Sequence, residues 1–253
     1  MVDLNALTSA NAKRWPEARL TRNFAAYAKQ LVAAKDRYQA VEAKTGVPWY
    51  AIAVIHMRES SQSWAGSLAQ GDPWNRVSTH VPAGRGPFVS WEAAAIDALV
   101  NCGPYLARKK WRSAGETLTN IEAYNGLGPY RRGFPSGYVW AGTNQYSKGK
   151  YVADGVWDPD HVDTQPGCAG LLLAMMALDP SIKLGGAIVP VDLPAVPIGI
   201  RDGAWLQTSL NKLGADPQLD VDGSVGPATR NAVRAFQLAA GIEVDGLVGP
   251  ETF

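Results

Sequence analysis

The nine residues Val221-Asp222-Gly223-Ser224-Val225-Gly226-Pro227-Ala228-Thr229 recur, with two changes, as Val244-Asp245-Gly246-Leu247-Val248-Gly249-Pro250-Glu251-Thr252. In each copy Asp-Gly makes a turn. Pro227 then suits the first turn of a helix, because its missing N–H would have no partner there anyway. That helix carries Ala232, Val233 and Phe236. An earlier one runs from Trp205 with a stop at Gly214. A repeated turn-and-helix unit confines the end of the chain to a small helical module. Just upstream, Gly185–Ile200 holds Pro190, Pro194 and Pro197 among small and apolar residues, the composition of a stiffened linker. The expected organisation is a first domain over 1–184, a linker over 185–200 and the module over 201–253.

The 253 residues suffice for one sizeable domain and a small one. Hydrophobic residues at 46% with 19% charged residues exclude intrinsic disorder. The net charge of +1 is unevenly spread: residues 1–185 hold 20 Lys and Arg against 15 Asp and Glu, and the remainder 4 against 8. A mildly basic body suits an anionic polymer, and no basic run interleaved with aromatics points to nucleic acid. Nine Trp and nine Tyr fit a saccharide cleft, whose flat amphipathic rings they would supply, and equally a packed core. Cys102 and Cys168 could pair, but two isolated cysteines in a large domain are more often buried free thiols. No metal-ligand spacing occurs, and no cofactor is expected. The opening residues lack the basic and apolar regions of a leader, and no apolar run reaches membrane-spanning length. The expectation is a monomer made in a cytoplasm.

Within the first domain the most informative stretch is Pro48-Trp49-Tyr50-Ala51-Ile52-Ala53-Val54-Ile55-His56-Met57-Arg58-Glu59-Ser60-Ser61. Ile52, Ile55, His56 and Glu59 follow the i, i+3, i+4, i+7 rhythm of one helical face. The stripe therefore ends in a carboxyl whose charged form loses solvation, which should raise its pKa. An acid still protonated near neutral pH is what the leaving oxygen of a glycosidic bond needs. A helix-terminal Glu turned to solvent is the plain alternative.

Before this stretch, residues 12–45 read as one or two amphipathic helices packed around it through Phe24, Tyr27, Leu31 and Tyr38, closed by Gly46. After it, Trp64–Ser90 is dense in turn formers and reads as a small β-lobe or loop, with short strands around 76–81. Its candidates are Asp72, Ser78, Thr79, His80 and Arg85, although Asp before Pro is also a common turn residue. Ser90 can cap a helix over Trp91–Cys102. Ser113-Ala114-Gly115-Glu116 opens another as a capping box, and that helix should end at Gly126 in a left-handed cap. Arg131–Tyr151 reads as a loop whose Tyr138, Trp140, Tyr146, Lys148 and Tyr151 either line a sugar cleft or close the core. Gln165–Leu178 is apolar nearly all round and should be a buried helix.

Residues 202–253 resemble the type 1 peptidoglycan-binding domain, a small three-helix module with paired Asp-Gly…Gly-Pro-x-Thr turns. The resemblance implies bacterial peptidoglycan as partner, with Asp222, Gly223, Asp245 and Gly246 in the binding turns. That family's last helix would continue past Phe253, so a module cut short is expected. Glu59-Ser60-Ser61 resembles the Glu-Ser motif of the lysozyme superfamily, and Ala123-Tyr124-Asn125-Gly126 its Tyr-Asn-Gly element. Nearly all of 30–180 resembles bacterial and phage lysozyme-family proteins through His56–Ser61, Gly71-Asp72-Pro73, Thr79–Arg85 and Gly149–Gly155. These resemblances imply a mainly α, lysozyme-like catalytic domain with a small β-lobe, and Glu59 as general acid.

In phage-type lysozymes the catalytic Glu is followed by an Asp and a Thr, an order matched here, at wider spacing, by Asp72 and Thr79. If they hold a water on the far face of the muramic acid ring, the outcome is hydrolysis with inversion, with carboxyls roughly 6.5–9.5 Å apart. If none reaches that face, Glu59 works alone and draws the proton from the sugar's own 6-hydroxyl, leaving a 1,6-anhydro end as lytic transglycosylases do. The expected reaction is hydrolysis at the MurNAc-GlcNAc bond by an endolysin-like muramidase, acting on the wall after membrane breach. Ser60, His80, Arg85, Tyr124, Asn125, Trp140 and Tyr146 are expected around the substrate. A zinc amidase or peptidase built on His56, His80 and His161, and a non-catalytic wall-binding protein, are the lesser alternatives.

Overall fold

In a computed structural model of the chain, the described residues are 3–69, 71–80, 82–153, 155–184, 203–223 and 225–240. The chain divides into two compact units, residues 1–192 and 193–253, and both are mainly helical. The linker segment 185–200 and the second repeat turn with Asp245 and Gly246 lie outside the described residues.

The first unit is built around α4 (Trp49–Ser60), in which every residue from Trp49 to Met57 is buried. Pro48 is the N-cap of this helix. Helices α2 (Ala25–Ala33) and α3 (Lys35–Thr45) wrap it, and Gly46 stops α3 in the left-handed region. Phe24, Leu31 and Tyr38 are buried as expected, whereas Tyr27 lies outside at 41% exposure. Helix α5 (Trp91–Val100) begins under the Ser90 hydroxyl, which accepts the Ala93 N–H at 3.1 Å. At α6 (Ala114–Asn125) the Ser113 Oγ accepts the Glu116 N–H. The Glu116 carboxylate closes back one residue earlier than a capping box requires, on the Arg112 N–H at 2.7 Å. Gly126 ends α6 at φ 103° and ψ 151°, a positive φ but not the left-handed helical cap expected there.

α1 (Leu4–Arg14) starts under the Asp3 carboxylate and packs along α6. The short helices α7 (Gly128–Arg131) and α8 (Gly137–Trp140) lead to a two-stranded antiparallel sheet of β1 (Lys150–Ala153) and β2 (Val156–Asp158). The first strand begins in the last two residues of the expected loop, and the second lies beyond it. Among the described residues, 64–90 holds only an isolated bridge between Gly66 and Pro73. Its turns close through local bonds such as Ser78 N–H to the Arg85 carbonyl at 2.8 Å, which leave no run for a ladder. Helix α9 (Cys168–Leu178) is the buried apolar helix and lies against α2, α4 and α8. Cys102 and Cys168 are free and buried.

In the second unit, α10 (Gly203–Lys212) and α11 (Pro227–Ala240) close over Leu206, Leu210, Leu219 and Val233. Gln207 pins the first repeat turn: its Nε2 donates to Asp222 Oδ1 at 2.7 Å, and its Oε1 accepts the Gly223 N–H at 2.9 Å.

Candidate active site

Glu59 sits one residue before the end of α4, half-buried. The helix stops there by a tight wind-up: Ser61 N–H bonds the Met57 carbonyl, and Gln62 N–H bonds the His56 carbonyl. Both Ser61 (φ 53°) and Gln62 (φ 60°) are left-handed, a conformation that costs a non-glycine residue on the order of 1 kcal/mol or more. His56 holds this turn. Its Nε2 lies 2.9 Å from the Ser63 carbonyl, which can only accept, so Nε2 carries the proton. Nδ1 then accepts the Tyr38 hydroxyl at 3.0 Å. Burial lowers the His56 pKa to about 4, so the ring is neutral and structural.

The Glu59 carboxyl has a pKa raised to about 7. Burial is the main cause; the Tyr138 hydrogen bond and the Arg58 charge pull the other way and lose. The Tyr138 hydroxyl donates to Oε1 at 2.7 Å, so the acid proton belongs on Oε2. Tyr138 is itself fixed from behind. The Arg58 guanidinium lies 4.7 Å from its ring centre and pairs with Asp163 at 2.9 Å, the two side chains being 5% and 2% exposed. Lys150 of β1 joins Asp163 at 3.0 Å. Burial pushes the Asp163 carboxyl up, but the Arg58 charge and bond, with Lys150, hold it below the usual range. Arg58 is thus committed to Asp163 while it stands beside Glu59 in sequence. Sequence reasoning left Arg58 and Asp163 out and treated Tyr138 as one of several loop aromatics. The adjacency of Arg58 to Glu59 was the available signal for Arg58; nothing in the spacing pointed to Asp163.

The loop after α4 folds back on the acid. Gly71 (φ 75°) lies against the Glu59 carbonyl so closely that a Cβ there would stand 2.9 Å from it. Asp72 follows, and its carboxylate closes the loop: Oδ1 meets His80 Nδ1 at 2.6 Å, and Oδ2 accepts the Thr79 and His80 N–H groups at 2.9 and 3.1 Å. These bonds, led by the His80 amide and side chain, hold its pKa below the ordinary value. Thr79 and His80 are exposed. Arg85 forks onto Asp97 rather than toward an open site, with Nε to Oδ2 at 2.9 Å and a short second bond to Oδ1.

On the other side, Tyr124 donates to the Leu68 carbonyl at 3.0 Å, and burial and the nearby Glu59 charge raise its pKa far above normal. Asn125 is exposed at the end of α6. Ser60 turns its hydroxyl back to the His56 carbonyl at 3.2 Å. Trp140 is 1% exposed, with its Nε1 on Asn11 Oδ1 at 3.3 Å, and Tyr146 bridges Gly149 and Asp163. Trp140 belongs to the core, and Tyr146 is half-buried against it.

A zinc centre would need grouped donors. Among the described residues no three His, Cys, Asp or Glu side chains are grouped to hold a metal ion. His56 spends both nitrogens on Tyr38 and Ser63, and His80 faces Asp72. These residues do not fit such a centre.

Residues 202–253 match the family described as "Putative peptidoglycan binding domain". The second unit is a peptidoglycan-binding module. That similarity supports peptidoglycan as a partner. A zinc D-Ala-D-Ala carboxypeptidase of Streptomyces albus G is 52% identical over 40 residues, which cover 16% of each protein. A shared segment of that length is too short to span the unit that carries Glu59. No solved structure matches the chain. Among the described residues no helix is long and apolar enough to cross a membrane.

Proposed function

We propose that the first unit cleaves the glycan of peptidoglycan at the MurNAc-GlcNAc β-1,4 bond, with Glu59 as general acid, while the module holds the polymer. One observation carries the reading: a carboxyl with a pKa near 7, aligned by the Tyr138 hydroxyl at 2.7 Å, beside a charged arginine committed elsewhere. Such an acid is protonated below neutrality and gives its proton to a leaving oxygen at little cost. The acid and the partner together support the class proposed, a glycan lyase or hydrolase of the wall.

The fate of the sugar depends on Asp72. Its carboxylate already accepts from three donors of its own loop, which favours the route in which Glu59 works alone. Having lost its proton, Glu59 takes one from the 6-hydroxyl, and that oxygen closes on C1 to leave a 1,6-anhydro end. The second reading is hydrolysis, with Asp72 and Thr79 directing a water. It is supported by the contact of Gly71 with the Glu59 carbonyl, which brings this loop to the acid. Mass spectrometry of soluble products from purified peptidoglycan, wild type beside Glu59→Gln, tests both. Anhydro ends lost with the variant support the first route, and reducing muramic ends lost with it support the second. Equal cleavage by the two proteins rules out Glu59.

A further inference from the structure

On the side of α6 turned toward α1 lies a cavity of about 100 Å3, bordered by Asn11, Arg14, Glu122, Tyr130, Phe134 and Trp140. Glu122 is 1% exposed, and among the described residues its carboxyl accepts one hydrogen bond, a long one from Asn11 Nδ2 at 3.3 Å. Asn11 is otherwise engaged by Thr119 Oγ1 and the Trp140 indole. Burial raises the Glu122 pKa to about 7, against the pull of Asn11 and of the Arg14 charge. Arg14 on α1 and Tyr130 on α7 are the charged and titratable groups that border the cavity with it. Glu122 takes no part in the chemistry at Glu59. Two positions along a helix differ by about 200°, so Glu122 and Tyr124 look to opposite sides of α6.

We propose that this cavity is an acetamido subsite for a wall sugar, in which Glu122 in its acid form donates to the acetamido carbonyl and Phe134 and Trp140 face the methyl group. The space takes a group of a few heavy atoms, not a whole hexose. A neutral acid supplies a donor to a carbonyl, and the aromatic wall suits a methyl. The Arg14 guanidinium beside the cavity opposes an ammonium in the same place. The proposal rests on peptidoglycan as partner but not on cleavage at Glu59.

The test uses the full chain carrying Glu59→Gln, titrated with N-acetylglucosamine, glucose and ethylamine, and followed by NMR at the Trp140 indole and Asn11 side-chain amide. N-acetylglucosamine should shift both signals at pH 5.5 and glucose should not. Affinity should fall about tenfold or more by pH 8.5 as Glu122 ionises. Adding Glu122→Gln, which keeps a donor without a titration, should keep binding and flatten its pH dependence. Absence of shifts, equal shifts with glucose, preference for ethylamine, or a pH dependence surviving Glu122→Gln would each overturn the proposal. Equal peptidoglycan cleavage by wild type and Glu59→Gln would remove the cleavage reading and leave this one untouched.

Discussion

Glu59 and Asp72 belong to segments that touch where Gly71 lies on the Glu59 carbonyl, yet their carboxyls are driven in opposite directions. Glu59 is largely buried with one donor among the described residues, and its pKa rises to about 7. Asp72 has three donors, and its pKa falls. Desolvation rules the first and hydrogen bonding to the ionised form rules the second. Proximity alone therefore does not make a catalytic pair: one group is held as an acid, and the other as the anion that closes a turn. Replacing the acid should have the largest effect. Glu59→Gln should lower the cleavage rate by about a thousandfold or more, measured as soluble muropeptide release.

Glu122 extends the contrast to stability. Like Glu59 it is buried with a pKa near 7 against an ordinary value near 4.5, so the folded state binds its proton more tightly than the unfolded chain. The stability it permits is full below about pH 4.5 and is lost as pH rises through about 7. Asp72 and Asp163, with depressed values, act in the opposite sense: their stabilisation is present above the ordinary aspartate pKa and lost as pH falls through the folded value. These carboxyls by themselves favour pH 4–5, whereas His56, with its pKa lowered to about 4, works in the opposite sense and loses stability as pH falls below about 6.5. Glu122→Gln should raise stability at pH 8 by up to ~3 kcal/mol and change little at pH 4.5, as read by urea unfolding at the two pH values.

The parts legible in the sequence were those set by local rules. The stripe Ile52, Ile55, His56 and Glu59 gave the helix and placed its acid at the end of a buried face. Ser90 and Ser113 gave two helix starts. The apolar run Leu171–Met176 gave the buried helix α9. What escaped depends on contacts distant in sequence. Tyr138 reaches Glu59 across 79 residues, and Asp163 reaches Arg58 across 105. The strands around Tyr151 and Trp157 are short and interrupted by glycine, so the sequence shows no alternation there to set them above the stretch around Arg76. Composition does not place Trp140 either: its N–H meets the buried Asn11, and its ring borders the small cavity between α1 and α6.

A sharper break between the two carboxyls comes from Asp72→Asn. The amide keeps a single acceptor oxygen, so at least one of the three loop bonds is lost along with the charge that strengthens them. If Asp72 serves the loop, thermal unfolding should come about 3 °C or more lower, while cleavage stays within about threefold of wild type and the product ends are unchanged. A loss approaching that of Glu59→Gln, with reducing ends in the wild-type products, would instead make Asp72 the water-directing base.

The smallest expected effect isolates the Tyr138 bond. The hydroxyl stabilises the ionised carboxylate more than the acid, so removing it raises the Glu59 pKa further. Tyr138→Phe keeps the ring beneath Arg58 and removes only that donor. The alkaline limb of the cleavage profile, set by loss of the Glu59 proton near pH 7, should then move to higher pH. At its optimum the variant should be slower by about tenfold or less, because the acid keeps its proton but loses the bond that aims Oε2. An alkaline limb that stays in place would mean that the limb belongs to another group. Since Glu122 is the other described carboxyl with a value near 7, a profile shifted by Glu122→Gln and not by Tyr138→Phe would reassign the titration from the end of α4 to the seam between α1 and α6.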